Sequence, residues 1–175
     1  MKFIIFYDLK GGVCKSTLCH YTSKHLESEG KKVQVQTTDR QKHVLETGMI
    51  KDADHKLFDC IGAHTDENER LLQAAEKSDD VTLVVPITTG ENDFKELPFI
   101  IEILKKHNLL SKAKFVLTKT RANTKIIEIR KKTLKANNLT VMNYTMPLWE
   151  DFNQQKQTAK TKNSISKFVM ELRNG

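Results

Sequence analysis

The chain has 175 residues and a mass of 20.1 kDa, inside the size range of a single domain with one core. With 38% hydrophobic and 29% charged residues, 7 Gly and 3 Pro, it falls outside the collagen-like, low-complexity and disordered classes. Its net charge of +7 is uneven: eleven basic residues and one acid, Glu128, lie between Lys105 and Lys135, and the rest of the chain is mildly acidic.

A local basic field of this kind fits a polyanionic partner, most often a nucleic acid, or else a lysine-rich solvated surface that binds nothing. No apolar run approaches the ~20 residues that cross a bilayer, and no signal-like segment opens the chain. Cys14, Cys19 and Cys60 form no C-x-x-C pair, which argues against a disulfide framework or a structural zinc site and for a reducing, cytoplasmic setting.

Short apolar runs alternate with longer amphipathic stretches. This is the pattern of an α/β domain with a mainly parallel, doubly wound sheet and helices on both faces. The predicted strands are Lys2 to Tyr7, Lys32 to Thr37, Lys56 to Ala63, Val81 to Pro86, Ala113 to Thr118 and Leu139 to Tyr144. A helix over Ser16 to Glu29 carries Leu18, Tyr21, His25 and Leu26 on one stripe, with His25 read as a packed histidine and Gly30 as the left-handed residue that ends the helix. In Asn92 to His107, Pro98 either opens the helix or kinks it. Asn123 to Lys135 places Ile126, Ile127, Ile129 and Leu134 on one face and Lys125, Lys131, Lys132 and Lys135 on the other, with Arg130 in the apolar sector and therefore paired or snorkelling. The last helix, Ser164 to Arg173, has a core stripe of Ile165, Phe168, Val169 and Leu172.

The strongest motif, Lys10-Gly11-Gly12-Val13-Cys14-Lys15-Ser16-Thr17, follows the first strand and opens the first helix. A loop in that position aims successive backbone N–H groups and the positive end of a helix at phosphate oxygens. Lys15 then reaches the β/γ-phosphates, and the Ser16 hydroxyl faces Mg²⁺.

These residues resemble the deviant Walker A loop, K-G-G-x-G-K-[ST]-T, of the ParA/MinD family of ATPases. The likeness extends over Val33 to Gln41, Val81 to Thr89, Phe115 to Lys119 and Met146-Pro147, nearly the whole chain, and is nearest to the small ParA proteins of plasmid partition. It implies one P-loop NTPase-like domain spanning residues 1–175, binding ATP or ADP with Mg²⁺ and forming a nucleotide-sandwich homodimer. It further implies DNA binding without sequence preference, a centromere-binding partner of ParB type, and a nucleoid-associated cytoplasmic location. On this resemblance Lys10 reaches across the dimer to the opposite nucleotide, Lys15 holds phosphate, and Asp39 orients the attacking water. The predicted DNA face is Lys125, Lys131, Lys132 and Lys135, with Lys119 and Arg121 at the adjoining strand end.

Departures from the motif bear on activity. Cys14 replaces the loop's last glycine, and is alternatively a redox-sensitive thiol. Thr37 replaces the first switch aspartate, and Arg40 the proline after Asp39. His64 is aligned with the Walker B acid, which would weaken the metal site; Asp66 substitutes only if its loop bends inward, and Asp59 is read as structural at the far end of its strand. Whether the chain is an ATPase is left open. Alternatives are a nucleotide-impaired DNA-binding or interaction module, a MinD-like ATPase held to membrane by its last helix, and a small-molecule kinase or synthetase on the same scaffold.

Overall fold

A computed structural model describes residues 1–39 and 46–174. The resemblance read at Arg40 and Gln41 lies outside the described residues. The elements are β1 (Lys2–Phe6), α1 (Lys15–Ser28), β2 (Val33–Thr37), β3 (His55–Asp59), α2 (Asp66–Glu76), β4 (Val81–Thr88), α3 (Glu91–Lys106), a 3₁₀ turn (Leu110–Lys112), β5 (Ala113–Thr120), α4 (Lys125–Ala136), β6 (Thr140–Pro147), α5 (Glu150–Asn153) and α6 (Ala159–Asn174).

The strands form one six-stranded parallel sheet in the order β2-β3-β1-β4-β5-β6. Successive side chains of a strand point to opposite faces, and the core divides accordingly. Ile4 and Phe6 of β1, Val116 of β5 and Met142 of β6 pack under α1 and α6. Ile5 and Tyr7, with Leu83 and Val85 of β4 and Phe115 of β5, pack under α2, α3 and α4. Helices therefore cover both faces, as the alternation of apolar runs predicts. The chain leaves β1 toward β2 on one side and returns through β3 to β4 on the other. The carboxyl end of β1 is therefore the switch point at which open α/β sheets place ligands.

All six predicted strands are present, with shifted ends. β4 continues through Pro86 to Thr88 because its pairing with β1 stops at Val84, so the missing N–H of Pro86 interrupts no ladder there; Pro86 is opposite Val116 of β5 alone. Pro98 neither opens α3 nor sits in its first turn; it lies mid-helix, seven residues after Glu91. Gly30 has φ 78° and closes α1: its N–H donates to Glu27 O at 2.9 Å, and Lys31 N to Leu26 O at 3.1 Å, the paired bonds of a Schellman cap. His25 is half-buried and reaches Glu29 at 3.2 Å.

The β3 boundary corrects the sequence reading. β3 runs from His55 to Asp59, with Asp59 opposite both Phe6 and Thr37, so Asp59 ends the strand on the same edge as the Lys10–Thr17 loop instead of beginning it at the far edge.

Candidate functional site

Three segments meet at the carboxyl edge of β1. The loop from Asp8 to Cys14 leads into α1, Thr38 and Asp39 follow β2, and Cys60 to Thr65 follow β3. Together they line a cavity of about 930 Å³ whose walls include Gly11, Gly12, Lys15, Ser16, Thr17 and Asp39, a volume suited to a nucleotide-sized ligand. Lys15 is 5% exposed, and its Nζ donates to the carbonyl of Lys10 at 2.6 Å, closing the loop on itself. Burial pulls its ammonium below the usual lysine range, against the attraction of Asp8, Asp59, Cys60 and Asp39. A cation held in that condition is poised to take an anion.

Gly62 brings the loop after β3 against the Lys10–Thr17 loop. A Cβ built on Gly62 would fall 2.5 Å from Gly11 N and 2.6 Å from Lys10 O, so only glycine permits this contact.

Cys14 stands at φ 72°, ψ 24°, the left-handed conformation to which the glycine of the resembled motif is suited, and Gly12 has φ 78°. Its side chain packs against the core beneath α1. Burial raises the thiol's pKa, outweighing Lys119, Thr118 and Lys15, which disfavours the thiolate form.

Lys10 does not extend from the surface. Its Nζ forms an ion pair with the Asp93 carboxylate at the start of α3, and Asp93 also accepts from Thr88 N at 3.0 Å and from the Thr88 hydroxyl. Burial raises the pKa of Asp93, but these bonds outweigh it and hold the carboxyl below the usual aspartate range. The Lys10 backbone N–H donates to Asp8 at 2.7 Å. Asp8 is 2% exposed, and desolvation pushes its pKa up to about 7 against the opposing pull of that N–H and Lys15.

The acid on the strand neighbouring β1 is Asp59, fully buried and electrostatically coupled to Lys15. His64 is exposed and does not line the cavity, and Asp66 is exposed in the first turn of α2. The placement of His64 at the Walker B position is therefore corrected: the strand ends five residues earlier, at a carboxylate. Among the described residues, no group of three His, Cys, Asp or Glu side chains could by itself hold a metal ion. A hard cation here would share Ser16 and carboxylate oxygens with phosphate.

Lys119 also moves. It has φ 51° at a register break between β5 and β6, and the bulge turns it into the cavity, away from α4. Arg121 lies in a separate hollow with Trp149, Lys160 and Lys167. On α4, Lys125, Lys132 and Lys135 are exposed, whereas Lys131 donates to Asn143 O at 2.6 Å. Ile129, read as core, is 53% exposed: at about 100° per residue it falls about 40° from Lys125 and about 60° from Lys132, beside the lysine face. Arg130 is paired as expected, with Glu91 at 2.6 Å and Thr89 O at 3.2 Å, its guanidinium 4.3 Å from the Phe94 ring centre. Sequence reasoning missed Thr38, Thr65, Glu67, Asn153 and Gln155 as cavity residues. Thr38 lies inside the Val33 to Gln41 stretch, where only Thr37, Asp39 and Arg40 are singled out, and the other four belong to no motif with its own spacing.

No protein-family model matches the sequence, and no curated protein matches it. Solved structures do match, and they define a P-loop NTPase-like fold shared with ATPases of the ParA/MinD group. One is a Borrelia burgdorferi protein assigned to plasmid partition and solved with AMPPNP, 14% identical, TM-score 0.77, covering 98% of each chain. A second is the MinD cell division protein of Aquifex aeolicus, 13% identical, TM-score 0.69, covering 100% of this chain and 98% of that one. A third is the cobyrinic acid a,c-diamide synthase of Mycobacterium smegmatis with an ATP analogue and magnesium, 12% identical, TM-score 0.73, covering 100% and 97%. At these identities the likeness is one of fold.

Proposed function

We propose that this chain is a ParA-like partition protein: it binds Mg·ATP at the Lys10–Thr17 loop, dimerises around the nucleotide, and in that state holds DNA non-specifically, acting with a centromere-binding partner of ParB type at the nucleoid. The observation that supports this most is buried Lys15, closed over its own loop in a cavity shared with Ser16 and Asp39. Gly11, Gly12, Val13 and Cys14 supply backbone N–H groups, and Thr17 sits in the first turn of α1, whose positive end faces the cavity. Bound Mg·ATP supplies the transferable phosphoryl group and the metal's charge. The chain's own part is to neutralise phosphate with Lys15, offer the Ser16 hydroxyl and the Asp59 edge to the cation, and orient water with Asp39.

Non-specific DNA contact falls to Lys125, Lys132 and Lys135, which project together from α4, with Arg121 nearby and with Lys131 and Lys119 engaged elsewhere. Such contacts go to phosphates, so log affinity against log salt has a slope of about −0.9 per contact. Fluorescence anisotropy of a labelled duplex, with and without Mg·AMPPNP, tests the whole reading. Binding that requires AMPPNP and collapses in the Lys125→Ala, Lys132→Ala, Lys135→Ala triple variant supports it; binding indifferent to both rejects it.

A second reading, a relative that keeps the fold and basic helix but handles nucleotide poorly, draws on Cys14, whose left-handed backbone and sulfur occupy a glycine's place in the loop. Hydrolysis weaker than binding is the form in which both readings agree.

A further inference from the structure

Two of the walls of the cavity are joined behind it by one buried side chain. Asn68, in the first turn of α2, is fully buried, and both polar atoms of its side chain are bonded. Its Nδ2 donates to the carbonyls of Ile61 at 3.0 Å and Ala63 at 2.9 Å, its Oδ1 accepts from the Thr38 hydroxyl at 2.8 Å, and its backbone N–H donates to the Thr65 hydroxyl at 3.2 Å, which caps the helix. The Thr38 oxygen in turn accepts from Ile61 N at 2.8 Å. A second thread runs through Thr37, whose hydroxyl donates to Asp59 O at 3.0 Å and accepts from Asp39 N at 3.0 Å, while Thr38 N donates to Asp59 O at 3.0 Å.

The segment carrying Asp39 and the loop after β3 are therefore fastened to each other, and that loop touches the phosphate loop at Gly62, where no Cβ fits. Thr38, Asp39, Ile61, Gly62, Thr65 and Glu67 all face the cavity, whereas Asn68 does not. A group with no access to a ligand, bonded to both loops that have it, is placed to make them shift as one. A fully satisfied buried network has few alternative arrangements, because each broken bond strands a polar atom without water.

We infer that Asn68, acting through the Thr38 hydroxyl, is a positioning residue that couples the Asp39 segment to the loop after β3, so that the cavity distinguishes a nucleoside triphosphate from a diphosphate through both loops together. This rests on the nucleotide-binding reading above. Neither residue touches the reacting atoms; their effect is on where Asp39 and the Gly62 loop stand when a third phosphate arrives.

The experiment uses Thr38→Val, which keeps the side chain's shape and removes the hydroxyl, Thr38→Ser, which restores it, and Asn68→Ala where that variant folds. Calorimetry measures affinity for Mg·AMPPNP and Mg·ADP for each, beside wild type and Lys15→Ala. In Thr38→Val the ratio of AMPPNP affinity to ADP affinity should fall at least about fivefold, with Thr38→Ser near wild type, since one lost hydrogen bond in a differential state is of that size. Equal losses for both nucleotides, or no loss, would overturn the coupling while leaving nucleotide binding in place. Wild type that matches Lys15→Ala with both nucleotides would instead remove the underlying reading, and the coupling with it. Amide exchange at Ile61 in the ligand-free protein reads the clasp by itself: it should quicken in Thr38→Val and not in Thr38→Ser, and unchanged exchange counts against the proposal.

Discussion

The Lys10 ammonium is bonded to the Asp93 carboxylate of its own chain, at the first turn of α3. The resemblance to ParA-type loops implies a contact of that lysine with the opposite subunit's nucleotide, and to make such a contact Lys10 would first have to leave Asp93. Asp93 is anchored independently by the backbone and hydroxyl of Thr88, so the acceptor stays in place when the lysine goes. An Asp93→Asn substitution keeps the Thr88 bonds within reach and removes the charge that holds Lys10. AMPPNP-dependent dimers should then form at several-fold lower protein concentration, as read by sedimentation velocity. Dimerisation unchanged or weakened in this variant would show that Asp93 does not restrain the lysine.

Cys14 stores backbone strain in the loop. A left-handed conformation costs a residue with a Cβ about 1–2 kcal/mol relative to glycine, and part of this is offset here because the side chain packs against the core. Cys14→Gly should therefore raise stability by up to about 1 kcal/mol, measured by denaturant unfolding, and tighten Mg·ATP binding by clearing the sulfur from the loop. Lower stability together with weaker binding would mean that the packing outweighs the strain.

The corrected end of β3 makes a paired prediction. Asp59→Asn should lower steady-state phosphate release by about tenfold or more, as loss of one electrostatic contact to a transition state commonly does. His64→Asp should leave it unchanged, because that residue is exposed and outside the cavity. The opposite ranking would restore His64 to the metal position.

Asp8 links stability to pH. Its carboxyl titrates near 7 in the fold, against the usual 3.8, chiefly because it is buried, with Asp93 and Glu96 adding to the effect and the Lys10 N–H and Lys15 opposing it. The folded state therefore holds a proton that the unfolded chain releases. Stability from this group is full below about pH 4, falls as pH rises toward about 7, and is level above. The total is on the order of 4 kcal/mol for a shift from 3.8 to about 7. Asp8→Asn removes the dependence, so the stability of the variant minus that of wild type should grow between pH 5 and pH 8 in urea unfolding. A constant difference would contradict the assignment.

Much of this architecture is written in local patterns. Apolar runs of strand length gave every strand's place, and Gly30 marked the end of α1, because alternation and a left-handed cap are consequences of neighbouring residues. The loop from Lys10 to Thr17 was legible as a strand-to-helix turn for the same reason: its glycines, lysine and hydroxyl lie within eight consecutive positions. What could not be read depends on partners distant in sequence. The end of β3 is fixed by its register with Phe6 and Thr37, the salt bridge of Lys10 by a residue 83 positions away, and the turn of Lys119 into the cavity by a bulge against β6. Ile129 was misplaced by its residue type; its angle on the helix puts it among the lysines. Asn68 carries no motif at all, and only its set of bonds reveals it.

The central claim is that the loop from Lys10 to Thr17 holds a triphosphate, and isothermal titration of Mg·ATP into wild type beside Lys15→Ala tests it most directly. Saturable heat at one site per chain, lost in the variant while its circular dichroism stays that of wild type, is the result expected. Equal heats for the two proteins would contradict the account.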